Sequence, residues 1–499
     1  MKPATTESFP QSAATTPAQR WGFLAAISAG LFLIGLDNSI LYTALPELRS
    51  ALETTETQAL WIINAYPLMM AGLLLGTGTL GDKIGHQKMF LSGLIIFGLA
   101  SLTAAFSPTA GVLIAARAFL GIAAAAMMPA TLALIRITFT AERERNTAIG
   151  VWGSVAIIGA ALGPIIGGTL LEYFWWGSVF LINVPVAIIA VIATIIVAPG
   201  NIPNPEKQWD FLSSLFALFT LAFLILAIKE AVSPTRSWAV IGLALIISVG
   251  GAVSFSKRQK KIKEPLFDAS LFRNPLFSGG VIAAGFSMFA ISGIEMTTSQ
   301  RFQLSSGFSP LEAGLLMLPI AIASFPMSII GGANLHRWGF RNLICGGFIA
   351  TALGICLCLW GTSHSEEIAL FSLGLLFIGV GTGAVFSVAS TAIIGSAPVS
   401  KAGMASSVEE VSYEFGTLLS VAILGSLFPT FYALHAPSEV ADNFSAGVHD
   451  AVYGAAASAA LDTAYLNILT IALCCALFAA AVTAFFFRGN PKGTSHAHQ

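Results

Sequence analysis

Asp37, Arg117, Glu295, Glu409, Glu410 and Glu414 are ionisable residues set inside long apolar runs. An arginine in such a run costs about 2.5–3.5 kcal/mol on insertion scales. Arg117, within Leu113-Ile114-Ala115-Ala116-Arg117-Ala118-Phe119-Leu120-Gly121, therefore needs a carboxylate or several carbonyls beside it. Asp37, within Leu36-Asp37-Asn38-Ser39-Ile40-Leu41-Tyr42-Thr43-Ala44-Leu45-Pro46, offers the carboxylate. The pair reads either as a packing ion pair or as a pair that gains and loses a proton, and an acid at membrane depth favours the second reading. Glu409, Glu410 and Glu414 lie in Val408-Glu409-Glu410-Val411-Ser412-Tyr413-Glu414-Phe415-Gly416. On a helix 410 and 414 share a face, and 409 is turned from 410 by about 100°. Three acids in one apolar helix cannot all face lipid as anions. Some line a cavity or stay protonated, because a carboxyl withdrawn from water favours its neutral form and a neighbouring cation favours the charged one. Such a carboxyl can exchange a proton for a cationic ligand. Glu410 reads as facing only the inner end of its span. Trp61, Tyr66 and Tyr413 add aromatic faces that attract delocalised cations. Trp61 reads equally as an interfacial anchor, the commoner role of tryptophan near a span end.

The elements that must hold these residues are apolar helices. Of the 499 residues 10% are charged and 56% hydrophobic, with mean hydropathy +0.81, where a soluble chain carries roughly 25% charge. Runs of about 20 apolar residues recur along the chain, the length that spans a hydrocarbon core. Fourteen spans are expected, near 21–45, 58–80, 88–106, 111–135, 147–171, 178–198, 211–230, 238–256, 275–298, 310–334, 342–362, 368–393, 401–430 and 462–487. With both termini in the cytoplasm, 19 of the 24 Lys and Arg residues face inward. Arg49, Lys229, Arg236 and Arg301 then lie outside, and Arg117 within a span. The basic run Lys257, Arg258, Lys260, Lys261, Lys263 is a juxtamembrane segment that can touch anionic lipid. A net charge of −1 argues against a nucleic-acid partner. The first 20 residues lack the charged-then-apolar order of a cleaved signal peptide, and Trp21 opens the first span. The five cysteines lie in apolar runs without metal-ligand spacing. No histidine cluster or nucleophile–base set stands in the spans, so neither an enzyme, a metal nor a cofactor is expected.

Two motifs concern movement. In span five, Gly150, Gly159, Gly163, Pro164, Gly167 and Gly168 form a row at spacing G-x8-G-x3-G-P-x2-G-G. Such a row lets a neighbouring helix approach closely, and Pro164 allows a kink. After span two comes Gly78-Thr79-Leu80-Gly81-Asp82-Lys83-Ile84-Gly85-His86-Gln87-Lys88. Gly85 permits a tight turn. Asp82 can cap a helix and pair with a cation such as Arg145, a contact that would form and break as bundles rock. The run Gly332 to Arg341 repeats this pattern with His336 in place of Asp82. Spans two and ten are equivalent only if spans seven and eight are an insertion.

These runs resemble the signature loop, proton-transfer and antiporter motifs of the major facilitator superfamily. Together with Trp61 to Gly72, Trp176 to Pro185 and Ser309 to Gly314, they are most similar to the fourteen-span drug:proton antiporters, the methyl-viologen and quaternary-ammonium exporters of the SmvA/QacA type. The resemblance implies an all-α polytopic membrane protein of major facilitator fold: two six-helix bundles plus two inserted helices. The expected division is a cytoplasmic tail (1–20), a first bundle (21–198), an inserted pair and basic loop (199–264), a second bundle (265–487) with an outside loop (433–461), and a cytoplasmic tail (488–499). That loop reads as a short hairpin dipping toward the membrane or as an extended helix end with a loose connection. The implied activity is export of lipophilic mono- and divalent cations from a bacterial inner membrane in exchange for protons, by a monomer without a cofactor. Asp37, Arg117, Glu409 and Glu414 would couple protons. Asp37, Trp61, Tyr66, Glu295, Glu409, Tyr413 and Glu414 would bind substrate. Gly78, Asp82, Gly85, Arg145 and the span-five row would gate. Polyamines are a further substrate class suited to acids at this depth. An exporter of one metabolite, such as an amino acid or siderophore, is the alternative, disfavoured by the number of membrane acids.

Overall fold

The structure, a computed structural model, describes residues 16–488 apart from 199, 206–208, 233–235, 263–264, 364–367 and 399–401. Gly150 falls within α5 but its surroundings are outside what the structure describes, and most of the two expected tails lie outside the described residues. The first bundle contains α1 (Pro17–Ala51), α2 (Glu56–Ile84), α3 (His86–Ala105), α4 (Ala110–Thr138), α5 (Glu142–Tyr173) and a span broken at Ile182 into α6 (Ser178–Leu181) and α7 (Asn183–Val197). Next come α8 (Phe211–Val232) and α9 (Trp238–Gln259). The second bundle contains α10 (Pro275–Leu304), α11 (Pro310–Ala333), α12 (Leu335–Ser363), α13 (Ile368–Ser396), α14 (Ala402–His435), the short α15 (Phe444–Val448) and α16 (Gly454–Phe486). Among the described residues thirteen helices are long and apolar enough to cross a membrane, and α5 stands where the fourteenth is expected.

Local chemistry starts and stops these helices. Thr16, Thr55 and Ser309 each accept from the backbone three residues on, while Gln19, Gln58 and Glu312 reach back to the cap. Gly85 (φ 95°) ends α2, and Gly339 (φ 74°) breaks α12 at the corresponding place in the repeat. Both conformations favour glycine, so the repeated motif is one turn built twice.

In the first bundle α1 packs on α5, α2 on α4, and α3 on α4 and α7; in the second, α13 packs on α11 and α12, and α10 on α14 and α16. The bundles meet along two seams, α2 against α14 and α5 against α11. The inserted α8 pairs with α9 and lies over the first seam, where Ile225 buries against Leu68 and Ala71 of α2 and Leu418 and Ala422 of α14.

Several boundaries differ from the sequence reading. α1 runs through Pro46 to Ala51, and α10 runs on to Leu304. Arg49 and Arg301, read as lying beyond their spans, are therefore buried on helices, and Lys229, at the outer end of the expected span 211–230, is buried on α8. Each has found a partner that a loop would not supply: Arg49 bonds Glu56, Lys229 lies over Trp61, and Arg301 donates to Asp462 at 2.8 Å. The stretch after His435 is not a hairpin: as in the extended-helix reading, α14 runs to His435 and α16 starts early, but the connection between them is packed instead of loose. α16 begins at Gly454, and α15 buries Phe444 against Phe428 and Tyr432. Beside it, backbone N–H groups of Tyr453 and Val452 hold the Asp450 carboxyl below its usual range.

Candidate functional site

Asp37 and Arg117 are fully buried and joined by an ion pair between α1 and α4. Arg117 also donates from Nε to the Ile62 carbonyl at 3.1 Å, and its guanidinium lies 4.7 Å from the Tyr66 ring centroid. Asn183, at the break between α6 and α7, donates to Asp37 Oδ1 at 2.9 Å and to Ser101 Oγ at 3.3 Å. The arginine is thus satisfied as its burial demands, by a carboxylate, a carbonyl and an aromatic face. Asn183 holds the carboxylate from the opposite side.

The second bundle turns two acids toward this group. Glu414 is buried on α14 and lies within electrostatic reach of Arg117, Tyr66 and Tyr42. Glu295 on α10 is within electrostatic reach of Tyr42 of α1. Among the described residues neither acid has a cation at ion-pair distance, and Glu414 Oε2 has no protein hydrogen-bond partner. Arg117 Nη2, Tyr66 Oη and Asn183 Oδ1 are likewise buried without one. Glu414 of the second bundle and Arg117 and Tyr66 of the first lie within electrostatic reach of one another, so a cation or a proton held there would touch both bundles.

Glu409 does not join this group. It accepts from Tyr413 Oη at 3.3 Å, with Ser390 of α13 in its surroundings, while Tyr413 packs edge-on against Phe386 at 5.4 Å. The helix rotation between 409 and 414 separates them. Glu410, read as facing only an inner end, is partly buried and feels both neighbouring acids. Trp61 stands away from Asp37 on the α2 face that meets α8 and α14.

The glycine row is the contact surface of α5. A Cβ on Gly159 would lie 2.8 Å from the Phe32 carbonyl oxygen, and one on Gly163 would lie 2.9 Å from Ile40 N and collide with Ser39 Oγ. Gly167 faces Ile40, so all three seat α5 on α1. Gly168 turns to the other bundle, where a Cβ would lie 2.6 Å from Leu311 Cα. Gly314 of α11 meets the Pro164 carbonyl in return. Contacts this close exceed what any Cβ tolerates, so α5 touches its own bundle and the facing one through glycine.

At the α2–α3 turn Asp82 pairs with His86 at 2.9 Å instead of with Arg145, because the turn at Gly85 brings the next helix's first residue within reach. Asn201, in the chain after α7, closes the turn by donating to Ile84 O at 2.8 Å and accepting from Lys88 N at 3.2 Å. A Cβ on Gly78 would meet Pro129 at an ordinary 3.8 Å. Asn183, Asn64, Tyr42 and Asn201 were not singled out in the sequence. The first three are polar residues within apolar runs, the signal that marked the acids; Asn201 sits in a polar stretch and carries none.

A profile described as Major Facilitator Superfamily matches residues 27–421. The chain is 34% identical over 452 residues to multidrug efflux pump LfrA of Mycolicibacterium smegmatis, covering 90% of this chain and 89% of that one. It is 36% identical over 412 residues to methyl viologen resistance protein SmvA of Salmonella typhimurium, 82% of each. Among solved structures, a bacterial homologue of the human lysosomal transporter Spinster, inward-facing and occupied, superposes with TM-score 0.68 at 14% identity, covering 96% of this chain and 98% of that chain. A D-xylose-proton symporter superposes at 0.63 with 13% identity, covering 95% and 98%. At these identities the structural likeness is one of fold.

Proposed function

The chain belongs to the Major Facilitator Superfamily, and on that premise we propose that it is a proton-coupled efflux antiporter for lipophilic cations. Family and fold make it an integral membrane transporter rather than an enzyme. The finer reading is export of quaternary ammonium compounds, dyes, viologens and polyamines across a bacterial inner membrane, with both termini cytoplasmic, by a monomer driven by the proton gradient alone.

One observation carries it: among the described residues Glu414 of the second bundle stands without a cation at ion-pair distance and within electrostatic reach of Arg117 of the buried Asp37–Arg117 pair, with Glu295 nearby beside Tyr42. A carboxyl there holds a proton when the site is empty of cation and releases it when a cation arrives, because burial favours the neutral form and an adjacent charge the ionised one. Binding of proton and cation is then mutually exclusive, which is the requirement for exchange. Tyr66 and Tyr42 lend aromatic surface to a flat cation beside those acids. The glycine contacts of α5 with α1 and α11 give the bundles a smooth surface on which to rock about the site. Homology supports the substrate class, since relatives at 34% and 36% identity are a multidrug efflux pump and a methyl viologen resistance protein.

The test is uptake of ethidium and methyl viologen into everted membrane vesicles. Uptake that needs an imposed pH gradient and stops with a protonophore supports the reading. Uptake that persists without the gradient overturns proton coupling, and transport of an anion or neutral metabolite instead overturns the cation assignment.

A further inference from the structure

Trp61 does not reach the Asp37 group, yet it already holds a cation. The Lys229 ammonium of α8 lies 4.6 Å from its ring centroid. Lys229 is buried, and among the described residues the other recorded contact of its ammonium is the Thr57 carbonyl, at 3.5 Å. Its neighbour Glu230 is turned away and accepts from Ser237 N at 2.7 Å. An ammonium carries three donors, so this one is poorly satisfied. Asn64 is fully buried, and neither its Oδ1 nor its Nδ2 has a protein partner. Positions 61, 64, 68 and 71 share one helix face, and Trp61, Leu68 and Ala71 on that face pack against α8 and α14. An aromatic face, an orphan amide and an under-coordinated cation thus share one seam between the bundles, covered by the inserted helix.

We infer that Trp61 and Asn64 form a second cation site at the α2–α8–α14 seam, and that Lys229 is its built-in competitor. The inference rests on the cation reading above. A phosphonium or quaternary ammonium has no N–H to satisfy, so it suits this apolar, aromatic seam better than a lysine does. Asn64 Oδ1 supplies a carbonyl dipole one turn along the same face. Lys229 lies in the last turn of α8, and its four-carbon stem can carry the ammonium past the helix end to water when a lipophilic cation takes its place. Thr57 and Trp61 lie in the opening turns of α2, at the end of the bundles away from the chain termini. An occupant of the seam that gives way to the protein's own cation would favour release over rebinding there.

The experiment is equilibrium binding of tetraphenylphosphonium to the full-length protein in lipid nanodiscs, for wild type, Lys229→Met, and Lys229→Met combined with Trp61→Leu or with Asn64→Leu, each with and without Asp37→Asn. Removing the competitor should raise affinity about two- to tenfold, the range of one cation–π contact. That gain should survive Asp37→Asn and vanish with Trp61→Leu or Asn64→Leu. Lys229→Gln repeats the comparison should the methionine variant not accumulate. Unchanged or weaker binding by Lys229→Met and Lys229→Gln, or a gain that persists without Trp61, overturns the seam site while leaving the central cation site standing. A wild-type protein that binds no tetraphenylphosphonium in either background overturns both.

Discussion

Arg117 of α4 donates to the carboxylate of Asp37 in α1, and nothing of either side chain reaches solvent. Removing one partner of such a pair leaves the other as an uncompensated buried charge, at about 3–5 kcal/mol. The pair is therefore costly to break and expensive to leave half-made, and the Glu414 carboxylate facing it makes its strength depend on what the second bundle presents.

Asp37→Asn keeps the volume but removes the charge and one of the two acceptor oxygens, so its amide oxygen can serve Arg117 while its NH2 stands where Asn183 now donates. Efflux of both mono- and divalent cations should fall at least about tenfold, a loss of about 1.4 kcal/mol or more. The protein should still insert, since an amide at this position continues to accept from Arg117 and to pack. Dye efflux normalised to membrane protein level checks this; normal efflux would make the pair a packing feature.

Gly163→Leu should abolish coupled transport. Its side chain would have to displace Ser39 and the α1 backbone at Ile40. Overpacking of this kind costs about 1–3 kcal/mol, and here it falls on the surface where α5 must stay close to α1. Gly98→Leu is the control, because a Cβ there meets Ala187 at an ordinary 3.5 Å. Coupled efflux retained by Gly163→Leu at wild-type expression would make the glycine row incidental.

Glu414→Gln and Glu295→Gln should weaken export of divalent cations more than of monovalent ones, since two charged ends need more than one carboxylate. Glu409→Gln should discriminate less, because its carboxylate accepts from Tyr413 and faces α13 instead of the Asp37–Arg117 pair. Competition assays with methyl viologen and tetraphenylphosphonium separate the classes. Each charge moved works with or against the membrane potential by about 2.3 kcal/mol per 100 mV, so electrogenicity should differ between substrates unless proton number compensates. Equal loss for both classes would assign Glu414 and Glu295 to proton coupling.

Asn201→Ala should lower thermal stability modestly, by about 1 kcal/mol for the two hydrogen bonds lost at the α2–α3 turn. Gly85→Ala should cost more, because φ of 95° strains any side chain and its Cβ would collide with Asn201. Detergent-solubilised melting curves rank the two. An Asn201→Ala protein as destabilised as Gly85→Ala would contradict this account of the turn.

Much of the scaffold could be read from residue type and spacing. Apolar length marks the spans, and a repeated glycine at 85 and 339 marks the two equivalent turns, because only backbone conformation is being specified there. An arginine in an apolar run demands a partner, so Asp37 and Arg117 could be matched across 80 positions. What could not be read depends on helix rotation and on neighbours distant in sequence. Glu409 and Glu414 differ by five positions and face different helices. Arg49 and Arg301 look like loop cations because hydropathy falls where they stand, whereas the helices continue through them. Asp82 meets His86 across a turn whose geometry a pattern of charges does not reveal.

The most direct measurement of the central claim is substrate-induced proton movement in everted vesicles energised to an acid interior and loaded with a fluorescent pH probe. Adding methyl viologen or tetraphenylphosphonium should dequench the probe as protons leave in exchange for cation entry, in wild type but not in Asp37→Asn. Cation accumulation without any dequenching, or dequenching that Asp37→Asn preserves in full, would contradict exchange at the Asp37–Arg117–Glu414 site.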